Sequence, residues 1–136
     1  MAGAPVEVLR EVPLFAELGP DDLGKVARLF KKRHFSQGET VTKEGSGGAA
    51  FFLIESGTAE VTVKGQPRPP LESGSHFGEI ALIDGKERSA TITASSDLVC
   101  YGLTYWDFQP LVQESAAIAW GLLQSLTKML RREQEY

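Results

Sequence analysis

Apolar positions along the chain change their spacing twice. Leu23, Val26, Ala27, Leu29 and Phe30 recur every three or four residues and so share one face of a helix. Gly19-Pro20-Asp21-Asp22 supplies its start, because proline suits the first helical position and the helix dipole favours two carboxylates there. The same helix is expected to carry Lys25, Arg28, Lys31, Lys32 and, at its end, Arg33. A solvated face with cations near the helix C-terminus accounts for these charges, and a partner or phosphate surface is the competing reading. From Phe35 to Leu103 the texture changes to short runs of Val, Ile, Thr and Phe, broken by turns at Gly38, Gly45 to Gly48, Gly57, Gly65 to Pro70 and Gly74. Val61 and Val63 alternate with Glu60, Thr62 and Lys64, and Thr91 and Thr93 alternate with Ala90, Ile92 and Ala94, so each strand has two unlike faces. Many short antiparallel strands closing into a sandwich or jelly roll are predicted, with residues 65–70 as a compact proline-rich loop.

After Tyr105 the helical period returns, first over Trp106 to Val112 and then from about Ser115 to Arg132, a stretch roughly 27 Å long at helical rise. Two apolar stripes adjoin on this last helix: Ala119, Leu122, Leu126 and Met129, and beside them Ala116, Trp120, Leu123 and Leu130. One stripe can pack on the barrel while the other meets something else. The expectation is a homodimer through Ala119, Leu122, Leu126 and Met129, with burial of both stripes inside the chain as the alternative. The predicted class is mainly β with flanking helices: an antiparallel double-stranded β-helix jelly roll over about 34–104, an N-terminal helix, and C-terminal helices over about 105–133, all one domain.

Composition narrows the function classes. A hydrophobic content of 42% over 136 residues is enough for a real core, with about two thirds of the unfolded surface buried on folding. Fourteen Lys plus Arg against 18 Asp plus Glu give a net charge of -4, which disfavours coating of nucleic acid without excluding a local basic patch. No run is long enough for a membrane helix and Met1 to Val8 has no signal-peptide character, so a soluble cytoplasmic protein is expected. The single Cys100 cannot close an intrachain disulfide, nor contribute to a Cys-based zinc site of ordinary ligand count.

The chemistry concentrates between Phe77 and Thr91. Glu79 to Ile83 is expected to make one helical turn after Gly78, aiming its first N–H groups outward as an anion site. The Asp84-Gly85 turn then returns Arg88, Ser89 and the Ala90 N–H toward the same place, so that amides, a guanidinium and a hydroxyl describe a phosphate cradle. Ionised Glu79 at its lip can only accept hydrogen bonds and repels a bare phosphate, so the ligand should also offer a hydroxyl. A sugar phosphate satisfies both demands.

At these residues the chain resembles the cyclic-nucleotide-binding domain of catabolite-activator-type transcription factors, protein kinase A regulatory subunits and cyclic-nucleotide-gated channels. Gly78-Glu79-Ile80-Ala81-Leu82 and Arg88-Ser89-Ala90-Thr91 match that family's phosphate-binding cassette. The likeness extends through Leu14-Phe15, Gly38-Glu39, Glu44-Gly45, Phe52-Leu53-Ile54 with Gly57, and Leu98 to Phe108. The resemblance implies Glu79 as acceptor for the ribose 2′-hydroxyl, Arg88 as partner of the cyclic phosphate, a hydroxyl from Ser89 on that phosphate, and N–H groups from Ile80, Ala81 and Ala90 to complete the cradle. It also implies that Val61 and Val63 line the purine pocket, although apolar strand residues are more often plain core. An ungapped count places Glu133 and Gln134 where catabolite-activator-like proteins offer Thr and Ser to the adenine, near a chain end where fraying is common. The implied ligand is cAMP, with cGMP the alternative, and no metal.

Three other readings compete. A cupin-type metalloenzyme needs spaced histidines, and only His34 and His76 are present, far apart; His76 reads as a turn residue at the mouth of the cassette. No catalytic triad or carboxylate pair can be argued, so an enzyme is not expected. A protein-interaction module of the same fold that has lost its ligand would be expected to have relaxed Glu79, Arg88 and Ser89 first. The last reading is the ligand-binding fragment of a catabolite-activator-type regulator, whose helix-turn-helix would follow the long helix, where this sequence stops. The expectation is therefore a stand-alone sensor, with an unknown downstream protein and no DNA contact of its own.

Overall fold

The computed structural model describes residues 3–45, 50–86 and 90–134. The chain divides into two compact units, Lys31–Tyr105 and the pair of segments Met1–Phe30 with Trp106–Tyr136.

The Lys31–Tyr105 unit is a sandwich of two four-stranded antiparallel sheets. One is ordered β1 (Lys31–Phe35), β8 (Leu98–Thr104), β3 (Ala50–Ser56), β6 (His76–Phe77); the other is β2 (Thr40–Thr42), β7 (Thr91–Ala94), β4 (Ala59–Val63), β5 (Gln66–Leu71). Phe35, Phe52, Ile54, Leu98 and Cys100 from the first sheet meet Ala59, Ile92 and Ala94 from the second, and this interface is the core. Phe52 sits edge-on to Phe35 at 6.3 Å and stacks on Phe77 at 5.3 Å, so one aromatic row crosses the first sheet. Gly102 lies opposite Phe52 across the strand pair and leaves room for its ring. Burial pushes the Cys100 thiol up to about 11, with the Arg33 guanidinium acting weakly the other way, so it packs as a small hydrophobe.

Two sequence expectations fail at the sheet edges. The helix α2 (Pro20–Leu29) ends before Lys31, Lys32 and Arg33, which form β1 instead. Phe30 is fully buried with an extended backbone, and β1 then pairs with β8 along its whole length. Straight-chain cations favour a helix when read locally, but on an edge strand they deter unwanted strand pairing. Lys32 lies 3.5 Å from Glu55, which also accepts a hydrogen bond from the Tyr101 hydroxyl, and Arg33 covers the Phe35 ring at 5.3 Å. The Tyr101 bond holds the Glu55 carboxyl below its ordinary range, with Lys32 assisting against slight burial. The proline-rich segment 65–70 is likewise no loop: Gln66–Leu71 is β5, paired to β4 with Thr62 opposite Pro67. β5 borders its sheet, and an edge is where a strand tolerates residues that have no N–H to donate.

The other unit is helical. It holds α1 (Val6–Arg10), a 3-10 turn at Pro13–Phe15, α2, and most of α4 (Tyr105–Glu114) with α5 (Ala116–Gln134); the remaining helix, α3 (Glu79–Asp84), belongs to the sandwich. Phe15 is its hub, edge-on to Phe30 at 6.3 Å and to Phe108 at 6.2 Å. The Ser115 hydroxyl accepts the Ile118 N–H at 3.2 Å and starts α5. Ile118 and Leu122 are buried and Ala119, Leu126 and Met129 are half-buried, whereas Ala116, Trp120, Leu123 and Leu130 are exposed. The stripe expected to meet a second copy therefore faces inward in large part, and its neighbour faces out. Leu18 decides this by packing against Gly121, where an added Cβ would come within 2.7 Å of its Cδ2. No helix among the described residues is long and apolar enough to cross a membrane.

Candidate functional site

The site begins where the aromatic row ends. Phe77 pairs with Phe52 and His76 with Leu53, which fixes the last strand residues before the helix. Gly78 then takes φ 96°, a left-handed conformation that side chains resist, and turns the chain abruptly into α3. The helical ladder opens with the Leu82 N–H donating to the Gly78 carbonyl at 3.0 Å, so the Ile80 and Ala81 N–H groups precede it. Buried Leu82 anchors α3, while Ile80, at 79% exposure, points to solvent. The helix closes with the Gly85 N–H on Ala81, and Asp84 Oδ1 accepts the Lys86 N–H at 2.9 Å.

Glu79, the first residue of α3, is largely covered, and its Oε2 lies 3.3 Å from His76 Nδ1. Burial pushes its carboxyl up, but contact with His76 and its own backbone outweighs burial and holds it below the usual carboxylate range. Near neutral pH it is therefore an anionic acceptor.

The chain is described again from Ala90, and there the fold is tightly tied. Thr42 Oγ1 donates to the Ala90 carbonyl at 3.2 Å, the Glu44 N–H donates to Thr91 Oγ1 at 3.0 Å, and Glu44 Oε1 accepts the Lys64 N–H at 2.9 Å. Glu44 thus links the β4–β5 turn, through its carboxylate, to the strand that follows the cassette, through its backbone N–H. Val61 and Val63 are half-buried on β4, and Val61, with Val41, Leu71 and Phe77, packs partly exposed against the sandwich core. Glu133 and Gln134 are exposed in the last turn of α5, in the helical unit. Arg88 and Ser89 lie outside the described residues.

Gly78, Glu79, Ile80 and Ala81 thus form one strand-to-helix corner, and Ala90 is pinned at the head of β7. From sequence, His76 stands at the mouth of this region without a part in ligand binding, and Glu44 is given none either. His76 is expected in a turn and lies instead in β6, three residues before Glu79; that spacing is the available signal. Glu44 was visible only as part of Glu44-Gly45.

An ionised carboxylate, helix-start amides and a half-covered apolar strand on one β-sandwich offer complementary groups to a small polar ligand with an apolar portion. Residues 32–115 match the family model for the cyclic nucleotide-binding domain. The chain is 40% identical over 106 residues to a cAMP-dependent protein kinase regulatory subunit of Yarrowia lipolytica, covering 76% of this chain but 28% of that protein. Thermus thermophilus catabolite activator protein superposes with a TM-score of 0.68 at 31% identity, covering 90% of this chain and 60% of that one. The N-terminal domain of a Streptomyces coelicolor transcriptional regulator shares the fold, with a TM-score of 0.83 at 24% identity over 94% of this chain and 93% of that one. The chain belongs to the cyclic nucleotide-binding domain family.

Proposed function

We propose that this chain is a non-enzymatic cytoplasmic sensor that binds cAMP in preference to cGMP. The observation that carries the reading is Glu79, held anionic at the first position of α3 beside the N–H groups of Ile80 and Ala81. A carboxylate next to an anion cradle suits a ligand with a hydroxyl and a phosphate on one rigid ring. In this reading Glu79 accepts from the ribose 2′-hydroxyl, Arg88 and Ser89 meet the cyclic phosphate with the Ile80, Ala81 and Ala90 amides, and Val61 and Val63 contact the purine. The preference for cAMP draws on the kinase regulatory subunit, whose name states a dependence on it. Glu133 and Gln134 remain candidates for the base.

Capture shifts a population: the ligand can move the helices from Trp106 onward only by binding one arrangement better than another. The outward stripe of α5 then offers the output surface, to a second copy or to a downstream protein.

Calorimetric titration with cAMP, cGMP and 5′-AMP tests the proposal. Micromolar or tighter binding of cAMP over both others is expected, and Arg88→Ala should weaken it about thirty- to a hundredfold, the worth of lost charge-assisted bonds. Absence of heat with all three, matched by an optical assay, would leave a protein-interaction module of the same fold.

A further inference from the structure

We propose that His76 is a positioning residue for the ribose-facing carboxylate and makes nucleotide capture proton-linked, so that the bound anion favours the imidazolium form. The inference rests on the reading of Glu79 given above. His76 Nδ1 lies 3.3 Å from Glu79 Oε2, and both side chains are three-quarters covered, at 25% exposure. Nδ1 is shielded from solvent and makes no well-aligned hydrogen bond among the described residues, so a proton placed on it has Glu79 as its nearest acceptor. The ring also packs on Phe51, with centroids 5.7 Å apart and planes tilted by 32°. Backbone pairing of His76 with Leu53 fixes where the imidazole starts, and the Gly78 turn fixes where Glu79 meets it.

No other described carboxylate on the packed elements competes for this ring. Glu55, on the paired strand β3, is engaged by Tyr101 and Lys32, and Asp84, at the far end of α3, accepts from the Lys86 backbone. The lowered carboxyl of Glu79 agrees with a partner of this kind.

The direction of the linkage follows from charge. A cyclic nucleotide brings one negative charge beside the pair, which raises the proton affinity of the imidazole in the complex above that in the free protein. Binding therefore takes up protons, and affinity falls as the solution becomes more alkaline. The protonated ring also offsets the repulsion between Glu79 and the ligand phosphate.

Calorimetry of cAMP binding in phosphate and in Tris, whose ionisation enthalpies differ, counts the protons. The intact chain should take up about 0.2–0.6 proton per cAMP near neutrality and bind about three- to tenfold more weakly at about pH 8 than at about pH 6. His76→Gln, which keeps a donor for Glu79, should abolish the uptake and flatten the profile while retaining preference for cAMP over 2′-deoxy-cAMP. His76→Phe should lose the uptake and most of that preference, and His34→Gln, on the exposed edge strand, should change neither. Proton uptake that survives His76→Gln, or a 2′-hydroxyl preference undiminished in His76→Phe, overturns the inference and leaves the sensor reading standing. Failure to bind any cyclic nucleotide at any pH overturns the sensor reading itself.

Discussion

Glu79 sits in an environment that pulls its charge both ways: burial disfavours the carboxylate, and His76 with the backbone restores it. A side chain kept anionic against burial suits a ligand that donates a hydrogen bond, and this separates a ribose contact from a packing role. Glu79→Gln keeps the shape and removes the charge. A hydrogen bond to a charged acceptor is worth about 1.5–3 kcal/mol, so cAMP affinity should fall about ten- to a hundredfold. Affinity for 2′-deoxy-cAMP should hardly move. Equal losses for both nucleotides would assign Glu79 to the fold and not to the ribose. At this scale the sequence was legible where a motif carried it, as at Gly78 to Ala81. It was fainter where two groups meet: the three-residue spacing of His76 and Glu79 hints at a contact, but the residue types alone do not give the φ of 96° at Gly78 or the 3.3 Å approach.

The elements show a different limit. The alternation around Val61 and Thr91 announced β4 and β7, and the glycine after Glu55-Ser56 announced the turn between β3 and β4. β1 and β5 escaped because each pairs along one edge only, where lysines and prolines are tolerated and local propensity says helix or loop. Tertiary pairing overrode propensity at both. The β3–β4 turn shows how close the backbones come. Gly57 has φ 97°, and a Cβ there would stand 2.2 Å from the Asp97 carbonyl oxygen and 2.9 Å from Leu98 Cα. Gly57→Ala combines left-handed strain with a backbone clash and should cost about 2–3 kcal/mol. Urea unfolding measures this directly, and a loss under about 0.5 kcal/mol would mean that the turn does not press on the strand it crosses.

Across the whole chain, α5 carries the question that its sequence leaves balanced. Residues 119, 122, 126 and 129 and residues 116, 120, 123, 127 and 130 each follow the alternating three- and four-residue steps of a coiled-coil seam, so spacing alone cannot choose between them. Packing within the helical unit chooses: Leu18 against Gly121 and the Lys128–Glu17 pair at 2.7 Å turn the first seam inward. The second is left with Trp120, Leu123 and Leu130 exposed at 64%, 53% and 58%, and with Thr127, whose hydroxyl is spent on the Leu123 carbonyl at 2.8 Å. Large apolar side chains exposed along one seam of a helix suit a second copy of the same seam. Leu123→Glu puts a charge at the centre of that seam without touching the inner face, so it should convert a dimer to a monomer in light scattering with little change in unfolding midpoint. Leu122→Glu buries a charge within the helical unit and should unfold it instead. A monomeric parent chain, or a dimer that survives Leu123→Glu, would remove self-association from this face and leave it to a different protein.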